Sequence, residues 1–104
     1  MLVERRKSTI HGNGVFARVQ LPKGDWMYIY GEVIPLQEHP MEHYCWEHKD
    51  GMYLPYAPFC WTNHSERYPN CEALWDEKDE IYYIETLRII RAGEELTIDY
   101  GYTP

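Results

Sequence analysis

The chain has 104 residues, 44% hydrophobic and 15% aromatic, with a formal charge of −7. This length suits one domain with a modest core, and no apolar run is long enough to span a membrane. The acidic balance repels nucleic-acid backbones and attracts basic partners. The first residues, MLVERRKSTI, carry charge and no apolar signal core. Three cysteines, Cys45, Cys60 and Cys71, are an odd number. They argue against a disulfide framework and for a reducing, intracellular and cytoplasmic setting.

In chain order, the segment from Val3 to Ile34 reads as short strands separated by turns. Gly12-Asn13-Gly14 is one turn signal and "LPKGD" (Leu21 to Asp25) is another. "WMYIYGEVI" has the aromatic and β-branched content of one strand. Residues 35–58 are the least regular part, with one short helix expected to begin near Pro40. "FCWTNHSERYPNC" favours turns. "EIYYIETLRII" (Glu80 to Ile90) reads as a strand, "RAGEE" as a tight turn and "LTIDYGY" as a last strand. No repeat, low-complexity tract or linker interrupts the chain. The expectation is a mostly-β domain of short strands over residues 1–104.

The ordered motifs carry more than any of them alone. Gly-x-Gly-Val-Phe-Ala (Gly12 to Ala17) precedes Lys-Gly and then Tyr-Gly-Glu (Tyr30 to Glu32). Asn63-His64-Ser65 follows, with Pro69-Asn70-Cys71, and the series closes on "LRIIRAGEELTIDYGY" (Leu87 to Tyr102). In this order the sequence resembles the SET-domain family of protein lysine methyltransferases, from about residue 3 to residue 102. The resemblance implies a β-clip fold of short curved sheets with little helix. It also implies a C-terminal pseudoknot, in which "LTIDYGY" threads the loop carrying Asn63 and His64, so that Leu96, Ile98 and Tyr100 are anchored.

The implied chemistry is methyl transfer from S-adenosylmethionine to a lysine amine, an in-line displacement that depends on alignment. By resemblance, Tyr100 stands at the methyl-transfer point, and Tyr102, Tyr28 and Tyr30 are candidates for the lysine channel. Asn63 and His64 match the family's cofactor contacts, His64 through its backbone. Gly12, Asn13 and Gly14 would meet the cofactor with backbone groups, where glycine permits close approach. Glu94 reads as a solvated turn residue and Glu95 as a structural one. The implied partner is a basic, lysine-containing protein, histone-like or ribosomal, with no direct nucleic acid and no membrane. The setting becomes nuclear if chromatin is the target.

The sequence departs from the family at several places. Three residues, "ERY", separate Ser65 from Pro69 where two are usual. Cys60 takes the place of an arginine, Ala73 that of an aromatic residue, and Ile29 that of a tyrosine. No pre-SET or cysteine-rich post-SET segment is seen, so a single SET domain is expected, similar to the minimal stand-alone members of bacteria and viruses. A second subunit is the candidate cover for the adenine, giving a homodimer. The departures also admit a catalytically silent SET fold used as a binding module. A third reading takes His39, His43, Cys45 and His48 as metal ligands, but their spacing is not one of the usual patterns, and the resemblance itself requires no metal.

Overall fold

The computed structural model describes residues 2–35, 46–48, 51–65 and 67–99. Within them the chain forms strands β1 (Val3–Lys7), β2 (Asn13–Ala17), β3 (Trp26–Ile29), β4 (Gly31–Pro35), β5 (Trp46–His48) and β6 (Gly51–Pro55). A turn of 3-10 helix at Phe59–Trp61 leads to β7 (Asn63–His64), β8 (Cys71–Asp76), β9 (Ile81–Thr86) and β10 (Glu95–Ile98). These build three small sheets, in the orders β1-β2-β10-β7, β3-β9-β8 and β4-β6-β5. The mostly-β expectation holds, with almost no helix among the described residues.

Side-chain alternation fixes which way each sheet faces. In β3-β9-β8, Met27, Ile29, Tyr82, Ile84, Thr86, Cys71, Ala73 and Trp75 share the inner face through the pairs Met27↔Ile84↔Ala73 and Ile29↔Tyr82↔Trp75. Ile29, Ile84 and Cys71 are buried there with Val3, Val15, Leu21, Ile90, Leu96 and Ile98. An aromatic cluster closes the core, with Tyr82 4.7 Å from Tyr53 and 4.9 Å from Trp75 between ring centroids.

Strand β10 is the most enclosed. It runs antiparallel to β2, with Leu96 opposite Val15, and parallel to β7, with Thr97 opposite Asn63 and Ile98 opposite His64. Leu96, Thr97 and Ile98 are all buried, so the strand is covered on both faces. Truncating Leu96 to Ala would cost about 2–5 kcal/mol, the usual range for a fully packed leucine.

Four local readings change. Asn13 and Gly14 belong to β2, and the turn before it spans residues 8–12, closed by Ser8 N donating to Gly12 O at 2.8 Å. "WMYIYGEVI" is two strands in two sheets, broken at the exposed Tyr30. At the break β4 pairs with β6 instead of continuing β3, and Gly31 lies so close to Leu54 O and the Tyr53 ring that a Cβ would overlap both. The region read as irregular contains the antiparallel pair β5 and β6, while the helix expected near Pro40 falls on residues 36–45, outside the described residues. The long strand from Glu80 stops at Thr86, whose hydroxyl donates to Pro22 O at 2.6 Å. Strand β8, unanticipated, pairs with its whole length.

Candidate active site at the strand crossing

The motifs separated in sequence meet around Asn63. As the first residue of β7, it is held in register with Thr97 of the central strand. Its side-chain Nδ2 donates to Glu95 Oε2 at 2.8 Å, and lies 3.0 Å from Asn13 O and 3.2 Å from His11 O. The second carboxylate oxygen, Glu95 Oε1, accepts from the Ser8 hydroxyl at 2.6 Å. Ser8 Oγ in turn accepts from Ile10 N at 2.9 Å, shaping the 8–12 turn. One carboxylate therefore ties the glycine segment to the Asn-His strand. Gly14 is required beside it, because a side chain there would overlap the Glu95 carboxylate.

Asn70 fastens the opposite side of the crossing. It is 2% exposed, and its amide serves β10 as a neighbouring strand would. Its Nδ2 donates to Glu95 O at 2.7 Å, and its Oδ1 accepts from Thr97 N at 2.8 Å. Ser65 N donates to Ile98 O at 2.9 Å. The segment from Asn63 to Asn70 thus holds the central strand at both ends of β10.

Glu94 corrects its reading as a solvated turn residue. It pairs with Arg88 at 2.7 Å and accepts from Arg91 N at 3.1 Å. Partial burial would push its carboxyl up, but the hydrogen bonds from Arg88, Arg91 and Asn70 outweigh that and hold it below the ordinary value. Cys71, at the start of β8, is buried, and burial pushes its thiol up to about 12.

Gly12 is exposed at the mouth of the crossing with φ +44°, and a Cβ there would meet nothing within 4 Å. Asn13 and Gly14 continue from it into β2. His64 stands on β7, its Nδ1 3.9 Å from Asp99 Oδ1. Gly12, Asn13, Gly14, Asn63 and His64 are therefore brought to one place. Tyr28 and Tyr30 are placed elsewhere: both line an apolar pocket of about 240 Å³ with Leu2, Met27, Tyr56 and Phe59. The inner tyrosines of this region are Tyr53 and Tyr82, with Tyr53 Oη donating to Ile29 O at 2.6 Å. Burial pushes both phenols up. Tyr100 and Tyr102 lie outside the described residues, as do His39, His43 and Cys45, whereas His48 stands on β5. Among the described residues no group of three or more His, Cys, Asp or Glu side chains is arranged to hold a metal ion.

The SET-domain sequence profile matches residues 12–101. The chain belongs to the SET-domain family. Solved structures agree on the fold, with 203 chains matching. One is a crystal structure of a Plasmodium falciparum protein, provisionally named a histone methyltransferase. It superposes with a TM-score of 0.79 at 23% identity, covering 97% of this chain and 94% of that one. No curated protein matches the chain.

Three members of the SET-domain crossing were absent from the candidate site residues read in the sequence: Ser8, Asn70 and Glu95. Asn70 and Glu95 sit inside the quoted motifs, so the signal was present. Ser8 has none, since its partner is 87 positions away.

Proposed function

We propose that this SET domain is a protein lysine N-methyltransferase that uses S-adenosylmethionine. The observation that carries the proposal is the convergence of Asn63, the Gly12–Gly14 segment and Glu95 at one open-sided crossing. The arrangement suits the ammonium group of that cofactor's zwitterionic amino-acid end. Two backbone carbonyls and a carboxylate converge on the Asn63 amide. With Nδ2 committed to those acceptors, Oδ1 of Asn63 is the atom that would accept from an ammonium group. Open space beside Gly12 gives room for a ligand against the backbone. His64 would contribute its backbone.

Bound S-adenosylmethionine would supply a methyl carbon made electrophilic by its sulfonium. The chain's own part is positioning. Rigid attachment of β7 to β10 fixes the wall that includes the buried Ile98, which precedes Tyr100 by two positions in the sequence. We assign Tyr100 the task of orienting the lysine amine through its hydroxyl. Tyr102 is assigned to the channel that leads the lysine there. The amine must be neutral to attack, and a nearby positive charge together with an apolar channel favours that form, so no separate base is needed.

The −7 charge supports a basic protein as substrate. Both described cysteines are free thiols, which supports an intracellular setting. The test is transfer of tritiated methyl from S-adenosylmethionine to lysine-rich proteins, histones and ribosomal proteins among them. Label should appear on lysine, and Tyr100→Phe should cut turnover sharply while cofactor binding persists. Cofactor binding without transfer to any basic protein would instead favour a SET fold used as a binding module.

A further inference from the structure

The outer face of the β3-β9-β8 sheet is unlike an ordinary solvated sheet face. Antiparallel sheets with one face on the core usually turn polar residues outward. Here the outward positions carry Trp26, Tyr28, Leu74, Ile81 and Tyr83, through the register Trp26↔Glu85 and Tyr28↔Tyr83↔Leu74. Trp26 is 53% exposed. Its ring meets Tyr28 edge-on at 5.1 Å and Tyr83 at 6.3 Å, with interplanar angles of 78° and 77°. These rings line a cleft of about 690 Å³.

Carboxylates rim the same cleft. Glu85 lies directly across the strand pair from Trp26, so ring and carboxylate stand side by side. Asp76 is on the wall, and Asp79 accepts from the Tyr28 hydroxyl at 3.4 Å. No ion pair reaches Asp76, Asp79 or Glu85 among the described residues. Lys78 is the cationic residue on the lining. Slight desolvation and then the neighbouring Asp79 and Asp76 push the Tyr28 phenol up, as a negative field does.

We propose that this face docks an arginine-containing basic segment of a partner polypeptide, with a guanidinium stacked on Trp26 and paired to Glu85. The chemistry favours arginine over lysine. A planar guanidinium stacks on an aromatic face and forks to a carboxylate in one pose, whereas an ammonium is a point charge. Outward residues two apart on a strand are separated by about 6.8 Å, so an extended chain can place successive cations over Trp26 and Tyr28. None of the residues of the Asn63 crossing lines this cleft. Docking is therefore independent of methyl transfer.

The test is fluorescence anisotropy of a labelled peptide of alternating arginine and serine, against its lysine counterpart, with the full chain. The arginine peptide should bind several-fold tighter than the lysine one, and binding should weaken at about 150 mM salt without vanishing. Trp26→Ser and Glu85→Lys, both on the surface, should each weaken binding roughly tenfold. Asn63→Ala should leave it unchanged, which separates this face from the cofactor site. Equal affinity for both peptides, or no effect of Trp26→Ser and Glu85→Lys, would overturn the proposal. So would absence of binding, or a dimer in sedimentation that Trp26→Ser dissolves, since a second copy would then be the occupant.

Discussion

Asn63 and Glu95 are 32 positions apart and joined by a 2.8 Å hydrogen bond from amide to carboxylate. That bond welds the strand of the Asn-His motif to the strand of the Gly-Glu-Glu motif, and Ser8 extends the weld to the glycine segment. Removing the carboxylate takes the acceptor from the Ser8 hydroxyl and one of three acceptors from Asn63 Nδ2. Hydrogen bonds to charged groups contribute about 1.5–3 kcal/mol each. Glu95→Ala should therefore lower unfolding free energy by about 2–4 kcal/mol in urea melts, with Glu95→Gln losing less. A loss within the noise of a surface substitution would show that the weld is not structural.

Gly14→Ala places a methyl where the Glu95 carboxylate lies, with Ser8 Cβ also 3.1 Å away. The carboxylate is held by Ser8 and Asn63, so it cannot swing aside without breaking both bonds. The variant should lose stability and at least tenfold in affinity for S-adenosylmethionine. The double variant Gly14→Ala, Glu95→Ala should be less than additive in stability, as expected for residues that share one space.

Glu94 predicts the acid limb of the stability curve. Its folded carboxyl sits below the ordinary 4.5, so its contribution is complete above that value and fades as pH falls through the lowered folded value. Urea midpoints for the wild type should fall in that acid window. In Glu94→Gln the fall should be shallower and the neutral-pH midpoint lower. Superimposable curves would remove Glu94 from the acid response.

Cys71 should be chemically silent in the native protein. A thiol pushed to about 12 and 1% exposed carries almost no thiolate at neutral pH. Disulfide-exchange reagents should label it only on the timescale of unfolding, while Cys60, half-buried and raised less, reacts sooner. Rapid native labelling of Cys71 by mass spectrometry would contradict its burial.

The family and the crossing were legible because motif order is a long-range signal written in short words. The last strand was legible too, from the alternation of Leu96, Ile98 and Tyr100, while its burial was what the family resemblance implied. The break at Tyr30 was not, because it goes with the pairing of β4 to β6, which no local propensity encodes. The outward phase of Tyr28 follows from Ile29 entering the core, and a sequence with aromatic residues at 26, 28 and 30 leaves that phase open. Glu94 read as solvated because its partners Arg88, Arg91 and Asn70 gather only when the turn closes.

Calorimetric titration of the full chain with S-adenosylmethionine tests the central claim most directly. The account predicts saturable one-to-one binding below millimolar ligand, weakened at least tenfold by Asn63→Ala in a protein that still melts cooperatively. No heat of binding up to millimolar ligand from folded wild-type protein would contradict it.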